Sequence, residues 1–284
     1  LYFRTVGASR RKATRRNGIS LWKNHVKGLL GSYKVVDVSR KVLTSFVGKL
    51  RDRGLSDNYI HTIRAEVMNV LKFSQDYEVI EFVPPFPTLS KKPKKKEICS
   101  PEEVFSIAAA APTRQWRDMI LVQYTLALRI GELLGLTPGK FNLEEGWVMI
   151  DAQKTRSKEE RGSFNLGPTK TGISRKLPLS PSLIEVLAPY VQNREPQAPL
   201  WISDWLTPVS RAGYTKMLAK AVQNSDVQKS ISSHCLRASM LDYLVNQTNL
   251  SVQAVAYYAR HSVKVLVSRY SQTDVEGLFS FFQR

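Results

Sequence analysis

Residues 128–133 read Leu-Arg-Ile-Gly-Glu-Leu. Arg129 and Glu132 stand three apart, so a helix would bring them onto one face. Leu121, Leu126, Ile130, Leu133 and Leu134 surround them with apolar side chains. An arginine in such a setting needs a partner, because its charge is costly to strip of water. Taken alone, the pair also reads as a structural ion pair. The pattern predicts helix over 114–136.

Downstream, His234-Cys235-Leu236-Arg237 repeats the spacing, again beside apolar residues. Arg260-His261-Ser262 and then Tyr270 follow. Each is weak alone; together, in this order, they form a specific set. Common site types are missing. There is no Walker A loop, dinucleotide glycine fingerprint or Gly-x-Ser-x-Gly elbow. His25, His61, His234 and His261 lack companions at metal-ligand spacing, and Cys99 and Cys235 make no disulfide framework.

The chain has 284 residues, which suggests two domains. No apolar run approaches the roughly 18 residues of a bilayer span, so no membrane partner is expected. The net charge is +18, which points to a polyanion such as nucleic acid. Residues 1–96 hold 21 basic and 7 acidic residues, net +14, leaving +4 for residues 97–284. Arg10, Arg11, Arg15 and Arg16 form one basic cluster, and Lys91, Lys92, Lys94, Lys95 and Lys96 form a second. Such runs are often solvated tails or linkers, and Lys91–Lys96 also has the composition of a localisation signal. As phosphate contacts they would release counterions regardless of sequence.

Between the clusters, helices are predicted over 20–78. Ser39 precedes Leu43, Phe46, Val47 and Leu50 at helical spacing, Gly54 ends that run, and Ser56-Asp57 opens another with Ile60, Ile63, Val67, Val70 and Leu71 on one face. Lys49, Arg51, Arg53, Arg64 and Lys72 lie opposite. Residues 83–99, with four prolines and the lysine run, have linker composition. Ser100-Pro101-Glu102-Glu103 starts a helix and a second domain. Short strands are expected at 147–151 and 174–179, a polar loop or turn at 153–163, a helix from Ser180-Pro181, and mostly helix from Pro208 onward.

On these residues the sequence resembles the tyrosine recombinase, or phage integrase, family over about residues 20–275. The family's Leu-Arg-x-x-Glu-Leu matches residues 128–133. Its hairpin lysine matches Lys170 in Pro168-Thr169-Lys170-Thr171-Gly172, with Lys154 as a competitor. Its His-x-x-Arg box matches His234 and Arg237, its second histidine His261, and its nucleophile Tyr270. Ala238 stands where the family often has His, and Arg260 where it usually has Gly. Tyr257 and Tyr258 are rival nucleophiles by type, but their apolar helix suggests core packing.

The resemblance implies a mainly α fold: a helical, SAM-like core-binding domain plus a mixed α+β catalytic domain with a small antiparallel sheet. The expected boundaries are a basic segment at 1–18, the core-binding domain at 19–82, a linker at 83–100, the catalytic domain at 101–272 and an apolar tail at 273–284. It also implies a site-specific recombinase that cuts and rejoins duplex DNA through a 3′-phosphotyrosyl link, without metal, ATP or other cofactor. Arg129 and Arg237 would hold the phosphate, Glu132 orient them, His234 act as base, Lys170 protonate the leaving oxygen, and His261 hydrogen-bond the phosphate. The expected partners are recombination sites, further copies of the chain in a tetramer that exchanges tails, and accessory directionality factors, in the nucleoid-associated cytoplasm of a prokaryote. Two other readings are a type IB topoisomerase-like nicking–closing enzyme and a non-catalytic architectural DNA-binding protein. The latter would have no need of Tyr270.

Overall fold

The computed structural model describes residues 2–90, 97–155, 163–169, 172–260 and 262–270. Lys91, Lys92, Lys94, Lys95, Lys96, Lys170, His261 and the 273–284 tail lie outside the described residues. The chain divides into two compact units, Leu1–Lys95 and Lys96–Arg284. Among the described residues no helix is long and apolar enough to cross a membrane.

The first unit is helical. Helix α1 (Val6–Ser9) precedes α2 (Lys12–Leu21), which runs through a π-turn (Trp22–Val26) into α3 (Lys27–Leu30). So the basic segment expected at 1–18 is helical from Lys12 onward. Helices α4 (Arg40–Asp52) and α5 (Asp57–Asp76) start where Ser39 and Ser56 accept main-chain N–H groups from Val42 and Tyr59. Such caps satisfy N–H groups that a helix start leaves without partners. Between them Gly54 takes a φ of 75°, a left-handed turn that suits glycine. Leu43, Phe46, Val47 and Leu50 of α4 pack with Ile60, Ile63, Val67 and Leu71 of α5, together with Val26 and Leu30. Each such burial stabilises by about 1.5–3 kcal/mol.

The second unit is mainly α with small antiparallel sheets. Helix α6 (Pro101–Ala109) opens with a reciprocal cap between Ser100 and Glu103. Helix α7 (Arg114–Thr125) stops short of the predicted 114–136: Ala127 turns at a φ of 46°, and only Ile130–Leu133 (α8) resumes. Strands β1 (Phe141–Asn142), β2 (Trp147–Ile150) and a later strand at Arg175–Pro178 make one sheet, with Val148 opposite Leu177. Where a loop was expected from residue 153, β3 (Ala152–Lys154) pairs with β4 (Leu166–Pro168) as a second sheet. The reading of 153–163 as a loop or turn is corrected at 153 and 154 alone, and 156–162 lie outside the described residues; these polar strands carry no apolar alternation, the signal that betrays a half-buried strand. The Arg175–Pro178 strand is β5. Helices α9 (Pro181–Val191), α10 (Arg211–Asn224), α11 (Ser233–Asn246), α12 (Val252–Ala259) and α13 (Val263–Tyr270) complete the unit.

Helices α6, α7 and α10 pack with β2 and β5 in one core that includes Ile107, Met119, Val122, Val148, Leu177 and Leu218. A smaller cluster joins α11, α12 and α13 to the turn after α7: Ala127, Ala238, Leu241, Val255, Ala259, Leu266 and Tyr270. Ala238, where the family often has histidine, is fully buried there, so the departure suits the tight contact at that position.

Candidate functional site

The site is organised by one carboxylate. Arg129 ends up at the cap of the short α8 rather than on a continuous helix, and the turn folds Glu132 back onto it. Glu132 Oε1 accepts Arg129 Nη1 at 2.8 Å, and Oε2 accepts the Arg129 main-chain N–H at 3.0 Å. On its other side Arg175 of β5 donates from Nη2 to Oε2 at 2.8 Å and from Nη1 to Oε1 at 3.3 Å. Arg237 Nη1 stands 3.9 Å from Oε2. Burial alone would raise the pKa of Glu132. The hydrogen bonds and charge of Arg175, then those of Arg129, override it and bring the value down to about 2.

Arg237, on α11, is 1% exposed. Its two terminal nitrogens donate to the main-chain carbonyls of Ala127 and Ala259. Both carbonyls belong to strained turns: Ala127 has a φ of 46°, and Arg260, next to Ala259, has 51°. Arg129 Nη2 donates to the Arg260 carbonyl at 3.2 Å. The two arginines therefore clamp the turn before Arg129 and the turn after α12. Burial first, then the charge of Arg129, pushes the Arg237 pKa down to about 9; Glu132 and Tyr270 pull it up. The group stays protonated at neutral pH.

Tyr270 ends α13, buried in the cluster that holds Ala127 and Ala259. Its main-chain carbonyl accepts Asn246 Nδ2 of α11 at 2.9 Å. Its phenol lies within electrostatic reach of Arg237. His234 is exposed on the first turn of α11. Gln123 braces that turn: its Nε2 donates to Ser233 Oγ at 2.8 Å and to the Leu128 carbonyl at 3.2 Å, and Tyr214 donates to its Oε1 at 2.7 Å. This buried amide joins the Arg129 turn to the start of α11.

The structure thus brings Arg129, Glu132, Arg237 and Tyr270 together. Lys154 is engaged elsewhere, donating to the carbonyls of Pro208 at 3.2 Å and Val209 at 3.0 Å, with its pKa lowered by burial. Tyr258 donates to the Thr125 carbonyl at 2.5 Å, and burial pushes its pKa up to about 12. Tyr257 departs from the core-packing expectation: it is 54% exposed, under the Arg260 guanidinium. Among the described residues no group of three His, Cys, Asp or Glu is placed to hold a metal ion.

Sequence reasoning missed Arg175 and Gln123. Arg175 had a readable signal. Strand alternation puts it on the same face as Leu177, and a charged residue aimed inward needs a buried partner. Gln123 had none, because a single amide inside an apolar helix is indistinguishable by spacing from a surface residue.

In the first unit, Lys49 is exposed, while Arg10 and Arg64 are half-buried. Arg10 Nη1 pairs with Glu66 at 3.2 Å, and Arg64 stacks on Phe86 with 5.5 Å to the ring centre. Arg15 and Arg16 are half-buried and Arg11 exposed along α2 and its cap. Arg51, on the basic face, is neutralised by a forked pair with Asp57 at 2.8 and 2.9 Å.

The sequence pattern of the phage integrase family matches residues 98–276. The chain therefore belongs to the phage integrase family, the tyrosine recombinases. Its class is that of tyrosine-type site-specific recombinases. It is 21% identical over 262 residues to the tyrosine recombinase XerD of Halalkalibacterium halodurans, covering 87% of this chain and 82% of that one. Its fold is similar to that of the Tn1549 transposon integrase in complex with a circular intermediate DNA, at a TM-score of 0.86 and 18% identity over 99% of this chain and 96% of the other. It is also similar to a lambda integrase tetramer bound to a Holliday junction, at a TM-score of 0.71 and 14% identity over 95% and 75% of the two chains.

Proposed function

We propose that the chain cleaves and rejoins duplex DNA at specific sites through a 3′-phosphotyrosyl intermediate, with no metal and no ATP. The observation that carries this reading is that Arg237 holds the carbonyls of Ala127 and Ala259, two residues of the buried cluster that contains Tyr270, while Arg129 is tied to the carbonyl of Arg260 beside them. Tyr270 Oη attacks the scissile phosphorus, a P–O bond to tyrosine forms, and the bond to the 5′-oxygen breaks. A phenol with a pKa of about 10 needs help to ionise, and the Arg237 cation favours its phenolate. Arg129, 24% exposed at its side chain, is the guanidinium a phosphate can reach. Arg237, with both terminal nitrogens holding carbonyls, keeps further N–H groups and its charge for the developing anion.

His234, exposed on the first turn of α11 and three residues before Arg237, is assigned the proton from Tyr270. Lys170 protonates the departing 5′-oxygen and His261 hydrogen-bonds the phosphate; both assignments rest on the family motif. Glu132 orients the arginines. The covalent link stores the bond energy, so a 5′-hydroxyl attacking it restores a phosphodiester without an energy source. When that hydroxyl belongs to another duplex, strands are exchanged. The lambda integrase tetramer on a Holliday junction supports a synapse of several copies. The +14 of residues 1–96 supports backbone contact by the first unit and its lysine run.

The test is a duplex nicked beside the recombination site, incubated with the protein in EDTA. The reading expects a protein–DNA adduct that passes its strand to an added duplex bearing a free 5′-hydroxyl. Resealing of the original duplex alone would indicate a nicking–closing enzyme, and loss of the adduct in EDTA would overturn the metal-free mechanism.

A further inference from the structure

We propose that Arg175 is a positioning residue for the phosphate-holding arginine: through Glu132 it fixes the direction of the Arg129 guanidinium. The proposal rests on the reading above that Arg129 holds the scissile phosphate.

Arg175 has no exposure at its side chain, so it does not meet DNA. Its two terminal nitrogens grip both oxygens of Glu132, at 2.8 and 3.3 Å. A forked guanidinium–carboxylate pair sets the plane and rotation of the carboxylate, which one donor cannot do. With Glu132 so fixed, Oε1 can accept Arg129 Nη1 in one direction only. The local backbone supplies little stiffness, since α8 is only 4 residues long and follows the Ala127 turn. The stiffness comes from β5, which Arg175 ties to that turn and which is itself hydrogen-bonded to β2.

The charge balance points the same way. Glu132 faces three guanidiniums, those of Arg129, Arg175 and Arg237. Without Arg175, its full charge would fall on the two arginines assigned to the phosphate and compete with it. Arg175 takes most of that charge, and the cluster keeps a surplus of positive charge for an incoming anion.

The test compares two substrates on each protein preparation: the natural phosphodiester, and a methylphosphonate at the scissile position. The methylphosphonate has no charge for a cation to hold. The ratio of their cleavage rates cancels the folded fraction, so partial unfolding of a variant does not disturb it. Arg129→Ala is the reference and should shift the ratio toward the methylphosphonate by about 100-fold, the loss expected for one charge-stabilising group. Arg175→Met should shift it the same way by at least about 5-fold, and Arg175→Lys, which keeps the charge but not the fork, by less. In the Arg129→Ala background, Arg175→Met should shift the ratio by less than it does in the wild-type background, because the guanidinium it positions is gone and only the Glu132 charge on Arg237 remains. A wild-type ratio for both Arg175→Met and Arg175→Lys, with Arg129→Ala shifted, overturns the positioning role and leaves the phosphate reading intact. An unshifted Arg129→Ala ratio overturns both. Should Arg175→Met yield no folded protein, Arg175→Lys carries the comparison.

Discussion

Asn246 donates from Nδ2 to the main-chain carbonyl of Tyr270 at 2.9 Å, tying the last turn of α11 to the last turn of α13. The same amide donates to Asp242 Oδ1 at 3.1 Å, which fixes its orientation. The candidate nucleophile is thus held by the helix that also carries His234 and Arg237. Replacing Asn246 by Ala removes a hydrogen bond of about 0.5–1.5 kcal/mol. Single-turnover cleavage should fall a few-fold while DNA binding, measured by titration, stays unchanged. An unaltered cleavage rate would show that Tyr270 is placed by packing alone.

Arg260 has a φ of 51° where the family usually has Gly. A side chain in the left-handed region costs about 1–2 kcal/mol. Its stacking on the exposed Tyr257 at 5.3 Å returns only about 0.5–1 kcal/mol. Arg260→Gly should therefore raise the thermal midpoint modestly, by a net gain of up to about 1 kcal/mol. The main-chain contact to Arg129 does not depend on the side chain, so cleavage should persist. A lower midpoint would mean that the Arg260 guanidinium contributes more than the strain.

Arg129 and Arg237 differ in what their loss does to the fold. Arg237→Ala strips the partners from the Ala127 and Ala259 carbonyls in a buried place, a change that costs on the order of 3–5 kcal/mol. Arg129→Ala leaves Glu132 still paired with Arg175 and should cost about 1 kcal/mol. Urea denaturation midpoints of the two variants test this; equal losses would contradict the clamp.

The acid limb of stability follows from Glu132. Its folded pKa of about 2 lies below the ordinary 4.5. A depressed carboxyl contributes stability fully present above its unfolded value and lost as pH falls toward the folded one. Stability should therefore decline through this window, between 4.5 and about 2. Glu132→Gln should be less stable at neutral pH and should have a flatter acid limb. A parallel decline in both proteins would mean that other carboxyls set the acid limb.

The helices of both units are legible because their starts carry chemistry: Ser39, Ser56, Ser100 and Ser180 each accept a main-chain N–H at a cap, ahead of apolar residues at helical spacing. The break between α7 and α8 is not legible, because Leu126, Ala127 and Leu128 continue an apolar helical pattern and Ala127 has no intrinsic preference for its left-handed turn. That turn is held by tertiary contacts, chiefly Arg237 and Gln123. The second sheet escapes for a related reason, since its polar strands are specified by packing: a Cβ on Gly135 would lie 2.8 Å from the Lys154 main-chain nitrogen. In the site, the spacing of His234 and Arg237 reads directly as one helix. Arg175 is legible as an inward-facing strand residue, but its partner Glu132 is not, because it lies 43 residues away in sequence.

Whether Tyr270 is the nucleophile is decided by mapping the covalent junction. The adduct trapped on a nicked duplex is digested with protease and nuclease, and the nucleotide-bearing peptide is sequenced by mass spectrometry. The modification is expected on Tyr270, lost in Tyr270→Phe with DNA binding retained, and present in Tyr257→Phe and Tyr258→Phe. A nucleotide on Tyr257 or Tyr258, or an adduct formed by Tyr270→Phe, would contradict this expectation.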